Sequence, residues 1–423
     1  MINENLLAFI WQQRVIQQFA ITVDGKKVSI INPGTLNSNQ GPDFINSQMI
    51  IDNTLWYGNV EIHVKSSDWF LHCHQLDANY ANVICHVVWL NDATVCYLHG
   101  DAIPTIELSK LIPDFLLEKY NDMLSLSGFI ACQNNISNVP KYIIFNMLET
   151  AFFESLETKL ENIHTLSSNI NNNFDELCYK LIIRNFGFRI NNDAFEATAD
   201  SLPQKFVRKY SDRANIVDAL FFGQANMLNE HFKDDYPKLL FKEYKYFSKL
   251  LNIKPQISCR WKYMRIRPAN FPCIRMSQCA AFMQKNFNGI DNFLTIDSLQ
   301  DYYKLFGIPI NDYWQNHIVF DKKTNTEDRR IGISSIDIIL INTILPLIFF
   351  YGKAHNNELL CNRALSIFEN ISAENNKIIR QWKNLNVIPK NAMHSQALLY
   401  LKQKYCDNKF CLKCKIGAKI LTD

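Results

Sequence analysis

The spacing of apolar residues changes character near residue 110, and that change limits the folds open to this chain. Before it, short β-branched and aromatic runs alternate with polar residues and are cut by Gly, Asn and Asp. After it, apolar residues recur at three- and four-residue intervals over long stretches. A period of two belongs to strands and one near 3.6 to helices. The chain therefore predicts an α/β domain over residues 1–110, followed by a larger all-α domain over 111–423. The latter is divisible into two subdomains at the loop "RPANFP". A length of 423 residues already calls for more than one core.

The front region opens with an amphipathic helix carrying Leu6, Leu7, Ile10, Trp11 and Val15 on one face. "ITVDGKKVSIINPG" places an Asp-Gly turn between β-rich runs. "DFINSQMIID" and "LWYGNVEIHVK" read as the next strands about a turn at Asn53–Thr54, "HQLDANYAN" as a short helix and "VICHVVWL" as a buried strand. "TVCYLHG" and "PTIEL" close the unit. The order is helix, three strands, helix, strand.

In the rear, "ISSIDIILINTILPLIFFYG" (Ile333–Gly352) approaches the length of a membrane span. Asp337, Asn342 and Pro346 within it favour a buried helix of a soluble bundle. The start "MINENLLAFIWQQR" lacks the basic leader of a secretory signal. A cytoplasmic protein with reduced thiols and no membrane partner is expected. Charge is uneven: residues 1–110 carry a net −5 and the remainder +8. An acidic front and a basic rear fit a metal site joined to a surface for a polyanion, here nucleic acid.

"YGNVEIHVKSSDW" sets Glu61, His63 and Lys65 on alternate positions of one strand, hence on one face. "GPDF" puts Asp43 at the start of the preceding strand. Two acids on neighbouring strands can converge on one divalent ion, with the Ile62 carbonyl as a third oxygen. Such a site activates water and neutralises charge at phosphorus. His63, His72, His74 and His86 crowd the same region with Asp68. They can bind a transition metal such as Zn²⁺ or orient the carboxylates. "HCH" would put His72 and His74 on one face if extended.

These elements and acids resemble the PD-(D/E)XK superfamily of restriction-endonuclease-like nucleases, over residues 1 to about 100. The resemblance implies a mixed sheet flanked by helices, with Asp43 and Glu61 as Mg²⁺ or Mn²⁺ ligands. Glu4 matches an extra acid on the leading helix, and Glu4, Asp68, His72 and His74 would support the centre. The family pattern places lysine where this chain has His63. Lys65 lies about 6–7 Å further along the same face, so His63 or Lys65 would position or deprotonate the water. The reaction implied is phosphodiester hydrolysis in DNA or RNA. The alternative is a non-catalytic nucleic-acid-binding or scaffold protein on a degenerate nuclease fold.

Two rear features carry further chemistry. In "RIRPANFPCIRMSQCAAF", Arg265, Arg267 and Arg275 flank a proline-fixed loop and a helix start, an arrangement suited to phosphate. The basic tail over residues 402–420 holds Cys406, Cys411 and Cys414, whose spacing suits Zn²⁺ or an iron–sulfur cluster. A fourth ligand is absent nearby, and His394 or Cys361 could supply it. "GPDF", "GNVEIHV", "HVVW", "FGQA", "RPANFP" and the terminal "C-x2-C-x-IG" together resemble a bacterial family catalogued as domain of unknown function 2851. That resemblance spans nearly the whole chain and implies no activity.

Overall fold

A computed structural model describes residues 2–16, 20–37, 39–97, 99–255, 261–264 and 266–422. In it, α1 (Glu4–Gln12) leads into a six-stranded mixed sheet. The strands are β1 (Val28–Asn32), β2 (Thr35–Leu36), β3 (Phe44–Ile51), β4 (Thr54–Lys65), β5 (Val83–Leu90) and β6 (Thr105–Glu107). Their spatial order is β1-β3-β4-β5-β6, with β2 pairing β3 near its start. Pairing is antiparallel from β1 to β4, then parallel for β4–β5 and β5–β6.

Local chemistry explains these elements. Asn3 caps α1 by accepting the Leu6 N–H at 3.0 Å. The apolar face Leu6, Leu7, Phe9, Ile10 and Trp11 is buried, and α1 packs on β4 and β5. Asp52 and Asn53 both adopt left-handed backbone, so Ile51 pairs Thr54 across a two-residue turn. The turn thus lies one residue earlier than the sequence predicts. β3 contains a bulge at left-handed Asn46, shifting register between Phe44 and Ser47 next to the acid that precedes the strand. The Asp-Gly turn forms, with Gly25 at φ 86°, but its flanks make only an isolated Ile21–Lys27 bridge.

The β4–β5 connection is held by Ser66 and Asp92. Asp92 carboxylate oxygens accept from the Ser67 N–H at 2.9 Å, the Ser67 hydroxyl at 2.9 Å and the Ser66 hydroxyl at 3.1 Å. Ser66 Oγ in turn accepts the Asp92 and Ala93 N–H groups. This knot fixes where α2 (Asp68–Leu71) and the following 3-10 turns begin. Beneath them, Trp69, Tyr80, Val83, Val95 and Ile103 form a small apolar core.

The chain divides into two compact units. The first comprises Met1–Thr150, Arg380–Ile388 and Leu398–Asp423; the second comprises Ala151–Ile379 and Pro389–Ala397. The boundary expected at 110 therefore moves: α3 (Asp114–Ser125) and the start of α4 (Lys141–Ser168) stay with the sheet, as does the tail. The reason is packing, because the C-terminal helix Lys415–Thr422 meets α3 and the turn Cys411–Lys413 meets α1. Periodicity reports an element's type and not the core it joins. The second unit is helical apart from a small ribbon of His317–Val319 and Lys322–Lys323. Its helix Ile333–Ala354 is long and apolar enough to cross a membrane, yet most of it is buried inside the protein.

Candidate metal centre

Asp43 precedes β3 and Glu61 lies mid-β4, and each carboxylate accepts the other strand's backbone. Glu61 Oε2 accepts the Asp43 N–H at 3.0 Å, and Asp43 Oδ2 accepts the Ile62 N–H at 3.0 Å. The two acids are thereby held side by side. Glu61 is buried and Asp43 half-buried. Burial pushes Asp43 up to about 6, the Ile62 N–H opposing and Glu4 adding to the rise. Burial and then the Asp43 charge push Glu61 up to about 8. Glu4 is exposed on α1 and acts on both carboxyls through its charge.

Histidines surround the other Glu61 oxygen. His63 Nε2 lies 3.5 Å and His74 Nε2 3.2 Å from Glu61 Oε1. His63 Nε2 also lies 3.1 Å from His72 Nδ1, and His63 Nδ1 lies 2.8 Å from His86 Nε2. Ligand-capable nitrogens of His63, His72 and His74 all fall within 4.8 Å of one another. Burial and the surrounding imidazoles push His63 and His86 down to about 3, so both are neutral near pH 7. Burial also lowers His74.

The expected extended "HCH" does not form. His72 ends α2, Cys73 takes left-handed backbone at φ 59°, and His74 opens a 3-10 turn. That reversal returns both imidazoles to β4. Tyr80 then stacks on His74 with centroids 3.8 Å apart, and Trp69 meets the rings of His74 and His86 edge-on or tilted. Sequence reading gave these aromatics no role; their only trace is apolar spacing around the histidines.

The other expected participants are placed as follows. Lys65 is exposed at the end of β4, and its N–H donates to Asp68 Oδ2 at 2.9 Å. Asp68 thus anchors the α2 turn, and its charge also acts on His63. In the second unit, Arg265 lies outside the described residues and Arg267 is exposed. Arg275 is buried, stacked 4.2 Å over Phe188, and donates to Gln278 at 2.8 Å, Ser335 at 2.7 Å and Asn270. It therefore holds the loop from within instead of facing a phosphate surface. The Cys361 thiol faces the Phe349 carbonyl at 3.6 Å, and His394 Nδ1 accepts the Lys390 N–H at 3.3 Å. The cysteine that faces the tail thiols is Cys132.

Glu61 meets His63 and His74 at one carboxylate oxygen, Asp43 stands beside Glu61 and His72 beside His63, which together make a set of metal donors. The residues fit a divalent ion: His86 Nδ1 is buried without a hydrogen-bond partner, and the Asp43 charge acts on the neighbouring Glu61 carboxyl. Mixed oxygen and nitrogen donors suit Mn²⁺ or a later transition ion better than Mg²⁺, which prefers oxygen and water.

A mixed-sheet unit with a partly buried carboxylate–histidine cluster, joined to a helical unit, is the class this structure defines. The chain belongs to the family described as "Protein of unknown function (DUF2851)", whose model matches residues 4–377. No curated protein and no solved structure matches it.

Proposed function

We propose that the protein is a metal-dependent hydrolase of phosphodiester bonds in DNA or RNA. The observation that carries this reading is Glu61, paired with Asp43 on one side and meeting His63 and His74 on the other, beside the imidazole group of His63, His72 and His74. The reading also draws on the element order helix, strands, helix, strand and on the parallel β4–β5 pair. Asp43 and Glu61 would hold the ion with His63 and His74 nearby. A bound divalent ion would supply Lewis acidity and an acidified water.

The protein's own part is positioning. His86 orients the His63 ring through Nδ1, leaving His63 Nε2 toward Glu61 and His72. His72, exposed at the rim, takes a proton from the attacking water and passes it to solvent. Lys65, exposed at the strand end, meets the substrate's phosphate charge in place of the buried lysine of the resemblance.

A second reading draws on His63 standing at the expected lysine position. A nucleic-acid-binding protein on a disused nuclease site would bind with strong salt dependence and would not turn over. The test is Mn²⁺-dependent cleavage of single- and double-stranded DNA and RNA by wild type, Asp43→Ala and Glu61→Ala. Cleavage lost in both variants with folding intact supports the hydrolase. Equal cleavage in wild type and both variants sinks it, and binding without cleavage in wild type selects the second reading.

A further inference from the structure

The three tail cysteines have a fourth partner far away in sequence. Cys132 lies in the turn-rich segment between α3 and α4. Cys406 ends the helical stretch Leu401–Cys406, Cys411 opens the turn Cys411–Lys413, and Cys414 immediately precedes the helix Lys415–Thr422. All four line one apolar cavity of about 20 Å³ within the first unit. Cys406 interacts electrostatically with each of the other three, and Cys132 with Cys411 and Cys414. All four are free thiols. One buried cysteine packs as a small hydrophobe; four around one cavity form a ligand set.

Burial pushes all four thiols up, and nearby N–H groups and cations oppose that rise. Cys414 sulfur accepts the N–H groups of Ile416 and Gly417 at the start of an eight-residue helix. Gly417 permits this close approach, since a Cβ would come within 2.2 Å of the Cys411 carbonyl oxygen. The Lys402 charge acts on Cys406 and the Lys409 charge on Cys411. Cations beside the cavity offset the negative charge of a thiolate-ligated centre.

We propose that Cys132, Cys406, Cys411 and Cys414 ligate an iron–sulfur cluster that ties the C-terminal tail to the α3–α4 segment. Spacing favours a cluster over one Zn²⁺. Tetrahedral Zn–S bonds of about 2.3 Å would bring the sulfurs to about 3.8 Å from one another. Among the described residues, only the histidine group has three ligand atoms mutually within 4.8 Å, so no three of these sulfurs are that close. A cluster spreads its thiolates over several irons. Assembly from ferrous and ferric iron with inorganic sulfide releases the four thiol protons to solvent; the chain supplies only the four thiolates and exchanges no electrons. The assignment is independent of the Asp43–Glu61 site.

The test is anaerobic purification of the full chain, followed by iron, sulfide and zinc analysis and visible spectroscopy. Equal iron and acid-labile sulfide, with a visible charge-transfer band bleached by dithionite, is the expected result. Cys132→Ser loses the band, whereas Cys361→Ser, outside the cavity, keeps it. Wild-type alkylation covers the case of a variant that fails to fold: the four thiols should resist alkylation until the cluster is stripped. Stoichiometric zinc without iron overturns the cluster. Four immediately reactive thiols overturn the centre itself, and full iron in soluble Cys132→Ser removes Cys132 from it.

Discussion

Replacing Glu61 by Gln should make the metal-free protein more stable at pH 8, although it removes a buried residue of the candidate site. Gln keeps the shape and can still accept the Asp43 N–H that Glu61 Oε2 accepts at 3.0 Å. What disappears is a titration. Glu61 is raised from 4.5 to about 8, by burial first and then by Asp43. Between those values the native chain holds a proton that the unfolded chain has released, so stability falls as pH rises. Above pH 6.5 the Asp43 rise, which ends at about 6, is complete. The His63 and His86 depressions, which start at 6.5, have not begun. From pH 6.5 to 8 the slope of the first unit belongs to Glu61, about 1.4 kcal/mol per pH unit and so about 2 kcal/mol in all, while in the second unit the Asp218 rise ends at about 7. For a unit of this size that is about 4–8 °C in Tm. Thermal unfolding in chelator should show this loss in wild type and a flat profile in Glu61→Gln. Adding Mn²⁺ should raise wild type by about 2.7 kcal/mol at a hundredfold excess over Kd and leave the variant unmoved. Parallel pH profiles in chelator would refute the reasoning, because they would show that Glu61 is not held protonated by its surroundings.

Other expected outcomes follow from the same geometry. Below pH 6.5 the unfolded chain takes up protons that buried His63 and His86 refuse, with native values pushed to about 3, a loss opposed by the protons that native Asp43 and Glu61 hold; His86→Phe should therefore gain stability relative to wild type as pH falls below 6.5, read from paired Tm–pH curves. Trp69→Ala empties the floor under His74 and should cost about 3–5 kcal/mol, read by denaturant unfolding of the first unit, with metal affinity lowered more than by Lys65→Ala. Lys65→Ala, at an exposed strand end, should leave metal binding unchanged in calorimetry while weakening nucleic-acid binding. Gly417→Ala drives a Cβ onto the Cys411 carbonyl and should release the tail, seen as rapid proteolysis within residues 402–420.

Strand-borne features were legible in the sequence, and features made by turns or distant contacts were not. Asp43 and Glu61 could be paired because strand periodicity and a short hairpin fix which positions become neighbours. The placement of His72 and His74 depended on left-handed Cys73, a conformation that a non-glycine residue does not announce. Arg275 read as a phosphate contact because it stands near a helix start beside a proline-fixed loop, whereas Phe188, Gln278 and Ser335 receive it inside. Cys132 carried no local signal at all; only tertiary folding brings it to the tail. The unit boundary was misplaced for a related reason, since helical spacing cannot say that α3 and the C-terminal helix share a core with the sheet.

The most direct test of the central claim is calorimetric titration of Mn²⁺ into the folded full chain, compared with Asp43→Ala, Glu61→Ala and His74→Ala. The account predicts one site per chain in wild type, lost with either carboxylate and weakened at least tenfold without His74. Binding of equal affinity in all four proteins, or none in wild type with or without nucleic acid present, would contradict a metal centre between β3 and β4.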